Sequence, residues 1–165
     1  MLDKIESGTR VFVDANIFLY ETFDHWRYGR SCKNFLEDVN KGTCSGITTV
    51  LVCNEVFHRV MLAEVVEKYG IEPKSVVRHL KRNWSIITEL RKPWGVMLNI
   101  RQIENLKILE VTEEDFEVAL SYSKKYGLLS NDAIHVATMT QHGITNIATN
   151  DPDFERVEGL TVWKP

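Results

Sequence analysis

Four carboxylates carry the chemistry this sequence is equipped for. Asp14 closes the apolar run Val11-Phe12-Val13, Glu55 follows the β-branched stretch Ile47 to Val52, Asp132 follows Ser130-Asn131, and Asp151 stands just past Ile144 to Thr149. An acid beside apolar residues is costly to keep charged unless it is paired or meets a cation. Carboxylates gathered in one place repel one another until a divalent ion offsets them, and hard oxygen donors that leave room for water suit Mg²⁺ or Mn²⁺. One or two such ions can activate a water and steady a departing oxygen, which is the chemistry of phosphodiester hydrolysis.

For those acids to meet, the intervening elements must return the chain repeatedly to one edge. Val11 to Val13 have the character of a strand buried on both faces of a parallel sheet. The spacing predicts a helix from His25 to Asn40, with Trp26, Tyr28 and Cys32 among its apolar positions, ended by Lys41-Gly42. Cys44 to Val52 reads as a second strand, and Asn54 as the cap of a helix opening at Glu55 and running to Gly70. Ile71 to Asn105 reads as helices interrupted by Pro73, Pro93 and Gly95. Leu106 to Val111 reads as a strand. Thr112-x-x-Asp115 is a capping box for a helix that stops at Gly127. Ser130-Asn131-Asp132 opens another helix, Ile144 to Thr149 is a strand, Asn150 to Phe154 is a turn, and Leu160 to Trp163 is an edge strand. This rhythm predicts an α/β fold, a three-layer α/β/α sandwich with a central mostly parallel sheet. In such a sheet the strand carboxyl ends and the helix amino ends share one edge, where all four acids are expected.

At 165 residues, 44% hydrophobic and 26% charged, the chain is sized for a single domain spanning residues 1–165. The lack of any long apolar run and the charged start Met1-Leu2-Asp3-Lys4-Ile5-Glu6 predict a cytoplasmic protein with no membrane partner. Cys32, Cys44 and Cys53 are too few and too scattered for a disulfide framework or a zinc site, so reduced thiols are expected. The net charge of −3 hides an asymmetry. Lys74 to Lys107 holds eight basic and two acidic residues, +6, which leaves −9 elsewhere. A basic helical insertion at about 71–105 is the expectation. In it Arg78, Lys81, Arg82, Arg91 and Lys92, with Arg101, Trp84 and Trp94, are placed to hold RNA phosphates and stack unpaired bases. The alternative is a solvated basic face with the tryptophans turned inward.

Each acid also has a plain structural reading. Asp14 could bond to backbone amides, Glu55 and Asp132 could answer a helix dipole in a first turn with Ser130 or Asn131 as cap, and Asp151 and Asp153 could shape the turn around Pro152. Asn16 could hold a turn or orient a carboxylate. His58 and His135 each follow an acid by three residues, the pattern of a di-iron carboxylate bundle, but the β-rich run before Asp14 speaks against four long helices. An Asp-x-Asp phosphatase would need an acid where Asn16 stands. A non-catalytic RNA- or partner-binding domain is a further alternative.

Four motifs in order, Val11-Phe12-Val13-Asp14-Ala15-Asn16, Glu55 after its strand, Leu128 to Ala137 around Asp132, and Ile147 to Phe154 around Asp151, make the chain resemble the PIN-domain family, notably its VapC-type toxins. The resemblance implies a PIN-like sandwich and a Mg²⁺- or Mn²⁺-dependent ribonuclease. It also implies an RNA substrate, an antitoxin partner for the toxin members, and a homodimer; the stretch between Glu55 and Asp132, longer than in a compact toxin and carrying the basic segment, leaves a free-standing PIN ribonuclease as the alternative. By the same resemblance Asp14, Glu55, Asp132 and Asp151 are metal ligands and catalytic acids, Asp153 is an outer member of the metal set, and Asn16 and Thr149 support them.

Overall fold

The computed structural model describes residues 1–165. Five strands, Arg10–Val13 (β1), Ser45–Thr49 (β2), Leu106–Leu109 (β3), Asn146–Ala148 (β4) and Thr161–Trp163 (β5), form one sheet in the order β3-β2-β1-β4-β5. Every neighbouring pair is parallel, so the sheet is wholly parallel. Val11, Phe12 and Val13 of β1 are each 0% exposed, which means both faces of the central strand are covered and explains the absence of alternation in its sequence. Eight α-helices flank the sheet: Ala15–Thr22 (α1), Gly29–Asn40 (α2), Val50–Tyr69 (α3), Val76–Arg82 (α4), Ser85–Glu89 (α5), Lys92–Arg101 (α6), Glu113–Tyr126 (α7) and Ser130–Gln141 (α8).

Several boundaries follow from local chemistry. Thr112 Oγ1 accepts from the Asp115 N–H while the Asp115 carboxylate accepts from the Thr112 N–H, the reciprocal cap that opens α7. Gly70 and Gly127 end α3 and α7 with left-handed backbone, φ 64° and 65°. Others differ from the expectation. The helix after β1 starts immediately, with Asp14 as its N-cap, so the chain enters α1 rather than a loop. Val50 to Val52 belong to α3, because the Thr49 hydroxyl accepts from the Val52 N–H and caps the helix there; Asn54 caps nothing, and Glu55 lies in the second turn. Trp26 precedes α2 and stands 88% exposed, outside the core. Neither Ser130 nor Asn131 caps α8; the N-cap is Leu129, with no side-chain bond.

One apolar core carries the sheet and most helices, with Phe12, Ile17, Phe18, Met139, Ile147 and Phe154 fully buried. A separate small cluster, Val65, Val76, Leu80 and Leu90, fastens α4 and α5 to the later turns of α3. Ile100 of α6 joins the main core instead, so the stretch from 71 to 105 is half appendage and half body. The joint between the two is Glu64, a buried carboxylate that accepts from the backbone N–H groups of Arg91 (3.1 Å) and Lys92 (2.8 Å) at the start of α6. Trp84 and Trp94 are 71% and 54% exposed, so they do not turn into the core; Trp94 meets Phe57 edge-on. All three cysteines are free, and burial raises each thiol, Cys32 to about 12, which keeps them protonated and unreactive.

Candidate active site

Sheet order reverses at β1: the chain builds outward through β2 to β3, then returns to the opposite side of β1 for β4 and β5. Crevices open at the carboxyl edge of a parallel sheet at such a switch point. Asp14 lies just past β1 and Thr149-Asn150-Asp151 just past β4, joined where the Asp14 N–H donates to the Ala148 carbonyl at 3.1 Å. The cleft there, about 310 Å³, is lined by Asp14, Glu55, Asp132 and Asp151 together. Residues separated by up to 137 positions thus meet, because one parallel edge collects the strand ends and the helix amino ends.

Asp14 is the deepest of the four. Its Oδ1 accepts from the Ala15 N–H at 2.6 Å, and its Oδ2 accepts from the Thr149 hydroxyl at 2.6 Å and from Asn16 Nδ2. Asn16 also donates to Thr149 Oγ1 at 2.8 Å and accepts from the Asn150 N–H at 3.2 Å, while the Asp151 N–H donates to the same hydroxyl at 3.0 Å. Thr149 is therefore a hub that ties the end of β1 to the end of β4. Despite these donors, burial pushes the Asp14 carboxyl up to about 7, with Glu55 and Asp132 adding to the rise. Asp132, in the first turn of α8, is pushed up to about 6 by burial and then by Asp151, Asp153 and Glu55, against Arg156. Mutual repulsion of this kind is the mark of negative charge with too little positive charge beside it.

Glu55 projects from the second turn of α3, too far along for the helix amino end to account for it. Its one ion pair is with Arg59, at 3.8 Å and largely exposed. Asp151 caps the short 3-10 turn Pro152–Arg156, its Oδ1 accepting from the Asp153 N–H at 2.8 Å. Asp153 is not among the lining residues, and its carboxylate pairs with Arg156 at 2.9 Å. The cleft also takes Arg59, Tyr20, Asn150, Leu19 and Pro152, none of which was given a place in the site from sequence. Arg59 could have been found, since it stands four residues after Glu55 on the same helix face.

The histidines stay out of the cleft. His135 is buried against Phe12, held neutral by burial with its pKa lowered to about 4, and His58 is exposed. A di-iron bundle is therefore excluded by the parallel sheet and by the placement of both imidazoles. Arg78, Lys81, Arg82, Arg91 and Lys92 do not line the cleft either. Arg78, Lys81 and Arg82 lie on α4, which packs on α3 near Val65, ten residues and about 15 Å along the helix from Glu55. Lys92 pairs with Glu67.

No three His, Cys, Asp or Glu side chains are already drawn into a ligand cluster. The donor set nevertheless fits a hard divalent cation, because four carboxylates lining one cleft, two of them (Asp14 and Asp132) with raised proton affinity, offer oxygen ligands and leave sites for water. No helix of the chain is long and apolar enough to cross a membrane.

The family model for the PIN domain matches residues 11–160. Ribonuclease VapC2 of Methanocaldococcus jannaschii is 26% identical over 160 residues, covering 96% of this chain and 95% of that protein. Ribonuclease VapC6 of the same organism is 36% identical over 87 residues, 53% of this chain, and the match spans about half (55%) of that protein's length. Among solved structures, VapC20 of Mycobacterium tuberculosis, a toxin that cleaves the sarcin-ricin loop, superposes with a TM-score of 0.60 at 17% identity, covering 88% of this chain and 92% of that one. The VapBC2 complex of Rickettsia felis, bound to a promoter DNA fragment, gives 0.59 at 16% identity, covering 94% and 98%.

Proposed function

The chain belongs to the PIN domain family, and from that premise we propose that it is a Mg²⁺- or Mn²⁺-dependent endoribonuclease of the VapC type, the toxin of a toxin–antitoxin pair. The observation that carries the proposal is the cleft: Asp14, Glu55, Asp132 and Asp151 line one hollow, with Asp14 and Asp132 both pushed toward neutrality by burial and by their neighbours. The full-length similarity to Ribonuclease VapC2 supports the activity, and it includes the basic segment, so that segment is no mark against a VapC assignment. Superposition on the VapBC2 complex supports an antitoxin partner.

In this reading Asp14, Glu55, Asp132 and Asp151 hold the cation, and Asp153 acts through its charge on Asp132. When bound, the divalent ion supplies an activated water and Lewis-acid stabilisation of the leaving oxygen. The chain's own residues do the positioning. Asn16 and Thr149 fix the Asp14 carboxylate from both sides, and the Ala15 N–H fixes its other oxygen, so the deepest acid has one orientation. Arg59 brings the cleft's own positive charge to the rim, where a phosphate would meet it. Purified protein incubated with structured RNA should cut it in Mg²⁺ or Mn²⁺ and stop completely in chelator. Cleavage that persists in chelator would overturn the proposal.

We also propose that Arg78, Lys81, Arg82 and Arg91 extend the RNA contact away from the cleft, since all four are exposed and none takes part in an ion pair. Replacing Arg78 and Arg82 by Gln should weaken RNA binding and lower the slope of log K against log salt by about 1–2, as each lost phosphate contact releases roughly one counterion fewer. A slope identical to the wild type would remove α4 from the RNA path.

A further inference from the structure

The cleft does not end at the carboxylates. On the α1 side its wall is Tyr20, whose hydroxyl accepts from Asn150 Nδ2 at 3.2 Å. Tyr20 is the innermost ring of an aromatic group that continues along the loop between α1 and α2. Its ring centroid lies 4.8 Å from His25 and 5.1 Å from Tyr28; His25 and Tyr28 are nearly parallel, 11° apart at 5.1 Å. Trp26 lies at 6.1 Å and 23° to His25, and is 88% exposed, while the Arg27 guanidinium sits 5.1 Å over Tyr28.

This loop is held rather than loose. His25 Nδ1 accepts from the N–H groups of Arg27 and Tyr28, both at 3.3 Å; the His25 N–H donates to the Tyr20 carbonyl at 2.9 Å and the Gly29 N–H to the His25 carbonyl at 2.7 Å. Gly29 is required by that closeness, since a Cβ there would stand 3.0 Å from the backbone of both Tyr20 and Asp24. Asp24 itself takes left-handed backbone, φ 45°. The rings are therefore pre-positioned, and the outermost one offers an indole face to water with a parallel ring beside it.

We infer that Tyr20, His25, Trp26 and Tyr28 form a stacking platform for unpaired RNA bases next to the bond that is cut. The inference deepens the ribonuclease reading and rests on it. Continuity decides for RNA over a protein segment: Tyr20 belongs at once to the acid cleft and to the ring group, so a strand whose phosphate sits over the carboxylates carries its neighbouring bases onto the rings. Base stacking on aromatic faces tolerates any sequence but needs bases that are free of a duplex. Single-stranded or looped RNA is the substrate class the platform selects, with Arg27 adding a cationic plane at its edge.

The test compares steady-state cleavage of a single-stranded oligoribonucleotide with the same strand annealed to its complement. Trp26→Ala should raise KM for the single strand about tenfold with kcat unchanged, and Trp26→Phe should restore most of the loss. An abasic ribose-phosphate oligomer should bind the wild type and Trp26→Ala equally. Because Trp26 is exposed, its truncation leaves the core intact. An unchanged KM in Trp26→Ala, or an equal loss on the abasic oligomer, overturns the platform, and the first result would return the loop to a protein partner. If the wild type cleaves no RNA, the ribonuclease reading fails separately, and metal-free binding still decides the platform: the dissociation constant of the single strand should rise about tenfold in Trp26→Ala, and an unchanged constant overturns it.

Discussion

Asp14→Asn should lower RNA cleavage by about a thousandfold or more while the chain still folds, a loss equivalent to about 4 kcal/mol of transition-state stabilisation. The substitution keeps size and shape but replaces two anionic oxygens by one neutral carbonyl and an amide. The carbonyl can still accept from the Ala15 N–H, whereas the amide faces Asn16 Nδ2, itself a donor, so the contact that now orients the carboxylate is lost. With a formal charge removed, the cleft holds a divalent ion more weakly and misplaces what remains. Near-UV circular dichroism should match the wild type. Asp132→Asn, on the less buried acid, should show a similar loss and guards against a folding defect peculiar to position 14. Cleavage by Asp14→Asn at the wild-type rate would end the proposed mechanism.

In chelator, the same Asp14→Asn variant should become the more stable protein as pH rises. The native Asp14 carboxyl titrates at about 7 and its unfolded counterpart near 3.8, so between those values the native state holds a proton that the unfolded state has released. The stability this contributes is fully present below the lower value and is lost as pH rises through 7. From pH 5 to pH 8 the loss is about 3 kcal/mol, two units at 1.36 kcal/mol each. His135 has the opposite sign: its neutral buried ring favours the native state above the ordinary histidine range and loses that advantage as pH falls toward 4. Over part of the range the two cancel in the wild type, which is why the quantity to measure is the difference between wild type and variant by urea unfolding at each pH. That difference should swing toward the variant by about 3 kcal/mol between pH 5 and 8. Mn²⁺ should offset most of that swing at pH 8, raising wild-type stability by about 2.7 kcal/mol at a concentration one hundred times its dissociation constant and leaving the variant nearly unmoved. A pH-independent difference would mean that Asp14 is not a strained acid at all.

Cleavage by Asp14→Asn reports charge placed for chemistry, and the pH dependence of its stability reports what holding that charge costs the fold when nothing offsets it. A site that is costly without its ion and stable with it is the expected signature of function placed at the least forgiving spot of the sheet.

The β1 strand, the capping box at Thr112 and the helix ends at Gly70 and Gly127 were legible because each depends on contacts within a few residues. Helix α1 was not, because Ile17-Phe18-Leu19 is apolar all round and a short buried helix then has no period to read. The start of α3 was misplaced because Val50 and Val52 look like strand residues, and only the Thr49 cap decides otherwise. Tyr20 and Asn150 could not be placed at the cleft from sequence, since the Asn150–Tyr20 contact spans 130 positions.

The order of apolar runs and caps along the chain was enough to determine an α/β sandwich and to expect its acids at one edge, because burial and helix termination are local demands that leave local marks; naming Asp14, Glu55, Asp132 and Asp151 as ligands took the resemblance of the four motifs to a family. Tertiary structure brought the four acids, expected at one edge, into one cleft, and it alone decided that the Thr149 hydroxyl clamps Asp14, that Arg59 and not the basic 71–105 segment lines that cleft, and that the rings of Tyr20, His25 and Trp26 lead out of the site. Those facts depend on which strands become neighbours at the switch point and on how far α3 carries its appendage, and neither is set by any stretch of sequence shorter than the whole sheet.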